Sequence, residues 1–420
     1  MKVAGTIRVP GDKSLTHRVL LLAALAPGTS RIGGALTSLD ARSTARVLRQ
    51  LGAEVSPLRR GSVTTIRGQG HFQQPVDVLH CGNSGTTTRL MLGLLSAHHF
   101  PVTLTGDHSL RRRPMRRVTV PLSAMGARFV EQHGDGLPLT VTGGNLRPLH
   151  YEMPVSSAQI KSALLLAGLA GRVDVALREP QGKSRDHTER LLRAFHYQVL
   201  ESNGWIEFQP SGRIEPFEFE VPGDPSSAAF LVGAAVLAEA GELRIAGVGV
   251  NPTRTGFLDV LARMGADVEI ENRNTRFGEP VGDLVVKPAL LRPTEVSAAE
   301  IPRLIDEIPL LAVLASRAQG TTTFRQVGEL RVKESDRLGL IAENLRAIGS
   351  TAEVQGDDLV VEGREGVPRG PVRTAADHRL AMAFAVLGTV PGARVTIDDM
   401  ACSAVSFPDF DETLRSIRRR

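Results

Sequence analysis

The sequence predicts an α/β protein with two domains, each built from three copies of one helix–strand–helix–strands repeat. Two observations lead to this prediction. Six short polar motifs recur at almost constant spacing, and each runs into an apolar stretch rich in Ala, Leu and Gly. The chain also has 420 residues, more than one hydrophobic core usually serves, so we expect the repeats to divide between two domains.

The first helix of each repeat is expected directly after its polar motif. The gaps between the starts of successive motifs are 71, 72, 70, 80 and 71 residues. VPGDP at 221–225 lies near the midpoint and has the Pro and Gly of a linker. The six motifs start at Lys13, Ser84, Ser156, Ser226, Asp306 and Asp377.

A β-branched strand and a second helix are expected to follow in each repeat. GTTTFRQV at 320–327 is typical of the strand, and apolar residues at helical spacing from Leu338 to Ile348 predict the helix. A glycine, the residue expected after a helix C-terminus, follows most second helices. The third repeat departs from this pattern, with FHYQVL at 195–200.

The amino-acid composition and short sequence patterns argue against several classes of protein. Aromatic residues make up 4% of the chain, with a single Trp, which disfavours a surface for stacking nucleic-acid bases. The apolar run Ala228–Ala238 is too short for a membrane span, and the first ten residues predict a strand and not a signal peptide. Two cysteines cannot form a disulfide framework, and no Cys/His spacing is typical of zinc. We therefore expect a cytoplasmic protein.

The net charge of +5 is compatible with a nucleic-acid partner, an anionic membrane surface, small acidic substrates or no charged partner at all. Several motifs place cations and hydroxyls at predicted helix starts, which favours small anionic substrates. Such starts offer unpaired N–H groups and a partial positive charge to phosphates and carboxylates. Lys13 and Arg18 lie about one turn apart and could hold one phosphate. The motifs are GDKSLTHR (11–18), GNSGTTTR (82–89), SSAQIK (156–161), VKESDR (332–337) and DHR (377–379).

Two groups of charged residues have two interpretations each. Five arginines in 106–117 could form a solvated or nucleic-acid-binding patch, or could contact a small anion. The acidic residues of LIDEIP and VKESDR could cap helices or act as general acids and bases. The sequence does not decide between them. Phosphate loops are excluded more firmly, because Leu177 stands where a P-loop needs Gly and no GxGxxG opens a βαβ unit.

Ten motifs, in order along essentially the whole chain, match one known family. They are PGDKSLTHR (10–18), GNSGTTTRL (82–90), LTGDHSLRRRPM (104–115), SSAQIKSALLLAGL (156–169), KSRDHTER (183–190), VPGDPSSAAF (221–230), LIDEIPLLA (304–312), ELRVKESDRL (329–338), DHRLAMA (377–383) and SFPDF (406–410). On these motifs the chain closely resembles the 5-enolpyruvylshikimate-3-phosphate (EPSP) synthases.

The resemblance implies a fold and a reaction. The fold is an inverse α/β barrel of two domains, each with three βαβαββ-type units: 1–9 with 223–420, and 10–222. The active site lies in the cleft between them. The reaction transfers the enolpyruvyl group of phosphoenolpyruvate to the 5-hydroxyl of shikimate 3-phosphate and releases phosphate. It requires neither metal nor organic cofactor, and the resemblance suggests a monomer.

The resemblance also assigns roles to matching positions. Asp306 is the base that accepts the 5-hydroxyl proton, and Glu334 or Lys13 moves a proton at C3 of phosphoenolpyruvate. The residues matched to shikimate 3-phosphate are Lys13, Ser14, Arg18, Ser157, Gln159, Arg185, Asp306 and Lys333, with Ser156 beside them. Those matched to phosphoenolpyruvate are Lys13, Gly85, Arg113, Gln159, Arg337 and Arg379.

The chain departs from the family pattern at three places. Val405 stands where many members have a Lys that contacts phosphoenolpyruvate, and Glu329 stands where some have Asn. Segment 183–190 replaces a Tyr-containing sequence of some relatives, which makes Arg185 the least secure ligand. Gly85 leaves room for glyphosate in this family, so we expect glyphosate to compete with phosphoenolpyruvate, more weakly because Val405 is uncharged.

Two alternative functions are considered. The UDP-N-acetylglucosamine enolpyruvyl transferases share the fold but typically use a Cys in the arginine-rich loop, and 106–117 has none. An RNA-end-processing or nucleic-acid-binding protein of related fold would account for the basic charge. The low aromatic content and the carboxylates at motif positions argue against it.

Overall fold

The computed structural model describes residues 1–180 and 182–419 and has a mixed α/β fold. The chain divides into two compact units. The first unit comprises Met1–Pro10, Pro222–Thr275 and Pro280–Arg420, and the second comprises Gly11–Val221 and Arg276–Glu279. Each unit encloses its own cluster of buried hydrophobic residues. Within the described residues, no helix has the length and apolar character that crossing a membrane requires.

Thirteen α-helices lie in the described part of the chain. Those of the second unit are α1 (Lys13–Leu25), α2 (Leu39–Gln50), α3 (Gly85–Leu95), α4 (His108–Arg111), α5 (Arg116–Met125), α6 (Ala158–Gly171) and α7 (His187–Ala194). Those of the first are α8 (Pro225–Val236), α9 (Gly256–Arg263), α10 (Ile308–Ala315), α11 (Arg337–Ala347), α12 (His378–Leu387) and α13 (Phe410–Ser416).

The strands alternate with these helices. The first unit contributes β1 (Lys2–Ile7), and the second unit contributes β2 (Gly28–Gly33), β3 (Glu54–Val55), β4 (Thr64–Gly68), β5 (Leu79–His80), β6 (Pro101–Thr105), β7 (Arg128–Glu131), β8 (Leu139–Thr142), β9 (Leu149–Glu152), β10 (Val175–Arg178), β11 (Gln198–Ser202), β12 (Trp205–Gln209) and β13 (Glu218–Glu220). The remaining strands are β14 (Ala240–Gly249), β15 (Val268–Arg276), β16 (Glu279–Val286), β17 (Glu295–Val296), β18 (Gly320–Phe324), β19 (Thr351–Gln355), β20 (Asp358–Gly363), β21 (Arg369–Val372), β22 (Arg394–Ile397) and β23 (Arg418–Arg419).

One pairing scheme recurs among the sheets. In the second unit a parallel pair is followed by two antiparallel pairings, in the orders β13-β2-β4-β3, β5-β6-β8-β7 and β9-β10-β12-β11. In the first unit β17-β18-β20-β19 repeats the scheme. The sheet β23-β1-β14-β16-β15 contains it with β23 added, and β21 pairs with β22 in parallel.

The six helix starts predicted from the motifs are confirmed. α1, α3, α6, α8, α10 and α12 begin within two residues of the starts of their motifs. Four are capped by a side chain of the preceding residue, as when Asp12 accepts a hydrogen bond from the N–H of Leu15 at 2.7 Å. Ser157 and Glu307 precede α6 and α10 without such a bond. The N–H groups that begin those two helices therefore lack a cap from the residue before them.

The second helices end as the glycine pattern predicts, with one exception. Gly52, Gly126 and Gly265 follow α2, α5 and α9 with φ of +94°, +116° and +90°. In the third repeat His196 takes this place with φ +64°. The left-handed turn is thus retained in a residue with a Cβ, which costs about 1 kcal/mol or more.

The tip between β15 and β16, residues 276–279, belongs to the second unit, which the sequence did not predict. The Phe277 ring lies 5.4 Å from that of Phe219 and 5.9 Å from that of Phe195. Glu279 is 2.8 Å from Nδ1 of His187. Aromatic packing and this buried contact hold the tip in place.

Candidate active site

Three helix starts of the second unit carry most of the predicted ligands. Lys13 and Ser14 begin α1, Gly85 begins α3, and Ser157 and Gln159 lie at the start of α6. Each start presents backbone N–H groups and the positive end of a helix dipole. With Arg18, Arg113 and Arg185 they form what we call the second-unit cluster.

Two arginines bracket Ser14 at the start of α1. Nη1 of Arg18 donates to the Ser14 carbonyl at 2.9 Å, and Nη1 of Arg185 donates to the Ser14 hydroxyl at 3.2 Å. Arg18 also donates to Ser162 at 2.6 Å and to Thr188 at 2.8 Å. Arg18 is buried, and Arg18 and Arg185 approach Ser14 through different atoms, the first at the carbonyl and the second at the hydroxyl.

Lys13 is oriented by a carboxylate on α2. Its Nζ lies 3.1 Å from Oδ2 of Asp40, and both side chains are largely buried. Asp40 Oδ1 has no hydrogen-bond partner among the described residues. The pair aligns the ammonium group while leaving it two further protons to donate.

Gly85 lies between two guanidinium groups. A Cβ at this position would be 3.2 Å from Nη1 of Arg89 and 3.3 Å from Nη1 of Arg113. Arg89 donates to Oε1 of Gln159 and, at 3.0 Å, to the carbonyl of Pro114, while Nε2 of Gln159 donates to Thr86. The starts of α3 and α6 are thereby joined. Sequence analysis did not single out Arg89, although it ends the quoted GNSGTTTR motif.

The two interpretations of the arginine-rich segment apply to different residues. Arg113 is buried and donates to Oδ1 of Asn83 and, at 3.3 Å, to Ser109. Arg111, Arg112 and Arg116 are exposed. Arg113 is therefore the one of these four arginines that is buried and oriented by neutral oxygens, and the other three lie on a solvated face.

His17 is buried beside these cations and stays neutral. Burial, reinforced by Lys13 and Arg18, lowers the pKa of its imidazole to about 3. Nδ1 lies 2.6 Å from Oγ1 of Thr44, which in turn lies 2.7 Å from Oγ1 of Thr87 on α3. Hydrogen bonds between buried neutral side chains thus connect α1, α2 and α3 near the second-unit cluster.

In the first unit, Arg337 gathers three acidic residues at the start of α11. Its Nε donates to Asp377 at 2.7 Å, and its Nη2 lies 2.6 Å from Glu334. Its Nη1 lies 3.5 Å from Oδ1 of Asp306. Arg379 approaches the other oxygen of Asp306 at 3.5 Å and donates to the Asp306 carbonyl at 3.0 Å. We call Asp306, Glu334, Arg337, Asp377 and Arg379 the first-unit cluster.

The two guanidinium groups of this cluster differ electrostatically. Burial alone would lower the pKa of Arg337, but the carboxylates of Asp377 and Glu334 raise it above its ordinary value. Burial and the neighbouring Arg337 lower the pKa of Arg379, against the opposing effect of Glu307. Arg379 is therefore the cation of this cluster that would gain most from a bound anion.

The acidic residues also divide between the two interpretations. Asp336 caps α11 by accepting from the N–H of Gly339 at 3.1 Å, as capping predicts. Asp306 and Glu334 cap no helix; both contact Arg337, and Glu334 also borders a cavity of about 570 Å³. Glu307 is buried and accepts a hydrogen bond from Ser226.

Lys333 and Val405, two further positions singled out in the sequence, belong to neither of the two clusters. Nζ of Lys333 lies 3.8 Å from Glu329, so the acidic residue at 329 contacts the predicted ligand. Val405 ends a short 3-10 helix, Ala401–Val405, and is half-buried. In residues 1–180 and 182–419 no three His, Cys, Asp or Glu side chains are grouped so that they could hold a metal ion.

Comparison with known proteins shows the family to which the chain belongs. The family model described as EPSP synthase (3-phosphoshikimate 1-carboxyvinyltransferase) matches residues 1–414. The 3-phosphoshikimate 1-carboxyvinyltransferase of Gloeobacter violaceus is 48% identical over 423 residues, which cover 100% of this chain and 98% of the relative. That of Granulibacter bethesdensis is 48% identical over 414 residues, covering 96% and 91%.

Solved structures agree with this result. EPSP synthase from Acinetobacter baumannii superposes with a TM-score of 0.87 at 37% identity, covering 99% of this chain and 96% of that one. The enolpyruvyl transferase NikO from Streptomyces tendae has a TM-score of 0.80 at 19% identity, covering 99% and 95%, which supports the fold alone. By sequence over its whole length and by fold, the chain belongs to the EPSP synthase (3-phosphoshikimate 1-carboxyvinyltransferase) family.

Proposed function

We propose that the second-unit and first-unit clusters act together on one pair of substrates, shikimate 3-phosphate and phosphoenolpyruvate. The enzyme transfers the enolpyruvyl group of phosphoenolpyruvate to the 5-hydroxyl of shikimate 3-phosphate, in the shikimate pathway to aromatic amino acids. Two phosphorylated acids repel each other, so a site that binds both needs oriented cations. That requirement matches the cations at the helix starts.

Shikimate 3-phosphate is assigned to the start of α1 and its neighbours. Arg185 and Arg18 both contact Ser14, and their other partners given above are neutral oxygens. A phosphate that displaced or joined these oxygens would form stronger, charge-assisted hydrogen bonds. The proposed ligands are Lys13, Ser14, Arg18, Ser157, Gln159, Arg185, Asp306 and Lys333.

Phosphoenolpyruvate is assigned to the space around Gly85. The two guanidinium groups close to this glycine leave no room for a side chain without displacement. Arg113, whose Nη1 would lie 3.3 Å from a Cβ at position 85, offers a cation to an anion bound there. The proposed ligands are Lys13, Gly85, Arg113, Gln159, Arg337 and Arg379.

Asp306 is the proposed general base. Its two oxygens face Arg337 and Arg379, each at 3.5 Å, so two cations orient the carboxylate that would accept the hydroxyl proton. Glu334, with Lys13 as the alternative, protonates C3 of phosphoenolpyruvate. The 5-hydroxyl oxygen then adds to C2 as Asp306 takes its proton. The tetrahedral intermediate loses phosphate from C2 and a proton from C3, which restores the double bond.

The finer architecture is proposed to be the six-unit inverse α/β barrel, with three βαβαββ-type units in each domain. The recurring order of one parallel and two antiparallel pairings supports it. We further propose that the protein works as a monomer in the cytoplasm. The two cysteines, Cys81 and Cys402, are buried free thiols, in keeping with a reducing compartment.

The observation that carries the proposal is Asp306 held between Arg337 and Arg379. It is tested by measuring phosphate release from the purified protein with both substrates and with each omitted in turn. We expect release only when both are present. Release that needs phosphoenolpyruvate alone, or no release, would contradict the proposal. UDP-N-acetylglucosamine in place of shikimate 3-phosphate tests the related transferase activity.

Glyphosate is proposed as an inhibitor that competes with phosphoenolpyruvate beside Gly85. A methyl group there would lie 3.2–3.3 Å from the two guanidinium nitrogens, in the space assigned to the inhibitor. Gly85→Ala is therefore expected to raise the inhibition constant of glyphosate by about tenfold or more, since 1.4 kcal/mol is a factor of ten. An unchanged constant, or inhibition that phosphoenolpyruvate does not relieve, would rule this out.

A further inference from the structure

Lys161 is a fully buried cation inside the apolar helix α6. Its ammonium group lies 2.9 Å from Oε2 of Glu179 and 2.8 Å from Oε1 of Glu189. All three side chains have 6% or less of their surface exposed. Removing such charges from water costs several kcal/mol each, which the attraction within the group must offset.

The ion pair between Lys161 and Glu179 holds the backbone of Ser184 from both sides. Nζ of Lys161 donates to the Ser184 carbonyl at 3.1 Å. The Ser184 N–H donates to Oε2 of Glu179 at 3.1 Å. The Ser184 hydroxyl is buried and has no hydrogen-bond partner among the described residues. The backbone of this residue is therefore what the ion pair fixes.

Ser184 directly precedes Arg185, whose guanidinium group contacts the Ser14 hydroxyl. Lys161 also lies one turn after Ser157, and its N–H donates to the Ser157 carbonyl at 3.0 Å. Lys161 thus contacts both the start of α6, through its N–H, and the segment that carries Arg185, through its ammonium group. Arg185 in turn contacts the start of α1. All of these residues lie within the second unit.

A contribution to stability is a poor explanation of the ion pair. Replacing buried ion pairs by apolar residues of similar volume is often neutral or stabilising. Burial alone would lower the pKa of Lys161, but Glu189 and Glu179 raise it, so the lysine stays charged. A charged group that is costly to bury and fixes one backbone segment fits a role in geometry.

We infer that the Lys161–Glu179 ion pair is a positioning device that fixes Ser184 and thereby aims Arg185 at the phosphate of shikimate 3-phosphate. The inference rests on the proposed role of Arg185. Lys161 touches no substrate and acts only through the backbone it holds. The ion pair would hold Arg185 rigidly, although Arg185 lies in segment 183–190, where the chain differs from some relatives.

The test is steady-state kinetics of Lys161→Met, Arg185→Ala and the double variant, with separate KM values for each substrate. Loss of a charged hydrogen bond is worth about 1.5–3 kcal/mol, so Arg185→Ala should raise the KM for shikimate 3-phosphate about 10–150-fold. Lys161→Met should raise the same KM by about tenfold and leave that for phosphoenolpyruvate within about twofold. In the Arg185→Ala background it should have no further effect, because residues acting through one contact are not additive.

Two controls lie in the same segment. Ser184→Ala removes the unpartnered hydroxyl and keeps the backbone, and Lys183→Met removes a cation that pairs with Glu201 and Asp186. Both should leave the KM for shikimate 3-phosphate within about twofold. An equal effect of Lys183→Met would attribute the change to net charge and overturn the inference.

The other outcomes are also decisive. Should Lys161→Met fail to fold, the uncharged variant K161M/E179M/E189Q leaves no buried charge and should show the same selective rise in KM. Equal rises for both substrates, or effects that add to those of Arg185→Ala, would overturn the positioning role. A normal KM for shikimate 3-phosphate in Arg185→Ala would instead overturn the proposed role of Arg185.

Discussion

Both clusters contain buried guanidinium groups, but the partners of these groups differ. In the second unit, Arg18 and Arg113 donate to hydroxyl, amide and carbonyl oxygens. In the first unit, Arg337 and Arg379 face carboxylates. Neutral partners orient a cation without offsetting its charge, whereas carboxylates offset it and are themselves oriented by the ion pair.

The difference separates two tasks of one reaction. Arginines oriented by neutral oxygens in the second unit can donate to phosphate and carboxylate groups. The ion pairs of the first unit orient carboxylates, as proton transfer requires. We therefore expect variants in the second unit to change substrate binding, and variants of the first-unit carboxylates to change turnover or folding.

The largest expected effect is on turnover. Asp306→Asn keeps the shape of the side chain and removes the proposed base, so kcat should fall about 10²–10⁴-fold. Direct binding of shikimate 3-phosphate, measured by calorimetry, should change by less than about tenfold. Asp336→Asn, in the neighbouring capping residue, is the control and should retain kcat. A kcat for Asp306→Asn within about tenfold of the unmodified enzyme would assign the base to another group.

The next prediction compares how much a carboxylate partner and a neutral partner of a buried arginine contribute to the free energy of unfolding. Asp377→Asn can still cap α12 but removes the carboxylate that contacts buried Arg337 through both of its oxygens, so the free energy of unfolding should fall by about 3–5 kcal/mol. Ser109→Ala removes a neutral partner of Arg113 and should cost about 0.5–1.5 kcal/mol. Urea unfolding gives both values. Equal losses would mean that the two clusters do not differ in the way described.

Phosphoenolpyruvate binding gives a smaller effect. Arg113→Gln removes the buried cation of the arginine-rich segment and should raise the KM for phosphoenolpyruvate about 10–150-fold, with little change in kcat. Arg112→Gln, one residue away and exposed, should leave it unchanged. Similar rises in both variants would point to the overall charge of the segment and not to Arg113 itself.

The smallest effect is a pH dependence of stability. His17 is held neutral because burial, with Lys13 and Arg18, lowers its pKa to about 3, whereas an unfolded His titrates near 6.5. Below about pH 6.5 the unfolded chain binds the extra proton, so unfolding becomes easier as pH falls, by up to ~1.4 kcal/mol per pH unit. Above that pH this contribution is constant.

The measurement is urea unfolding at pH 7.5 and 5.5 for the unmodified chain, for His17→Asn and for the exposed control His133→Asn. Asn cannot titrate, so the loss of stability between the two pH values should be about 1.4 kcal/mol smaller in His17→Asn only. The same loss in all three proteins would show that His17 titrates normally.

Local features of the sequence predicted much of the fold and the site. Helix starts at Lys13, Gly85 and Arg337 follow from capping residues and apolar spacing, which act over a few residues. The roles proposed for Gly85 and Asp306 came from the resemblance to the family. Arg89 was missed, because its contact with Gln159 joins residues 70 positions apart.

Other features depend on tertiary contacts that no local pattern encodes. Lys161 interrupts an apolar run, which is a signal of a buried charge, but its partners Glu179 and Glu189 could not be identified from spacing. His196 adopts a left-handed conformation, and because it is not a glycine the sequence gives no sign of that conformation. The tip at 276–279 joins the second unit through Phe277, although its flanking strands belong to the sheet of the first.

Strand β1 gives the chain a fixed order of assembly. It pairs with β14 over Lys2–Ile7 and Ala240–Ile245, although the whole continuous part of the second unit, Gly11–Val221, lies between them. During synthesis, at about 5–20 residues per second, the ribosome releases that stretch first. The second unit can then fold before β14, the partner of β1, is synthesised, which takes about ten seconds or more after β1 itself. A ribosome-bound fragment long enough to expose Gly11–Val221 should already resist proteolysis over most of this stretch, although it lacks the tip at 276–279.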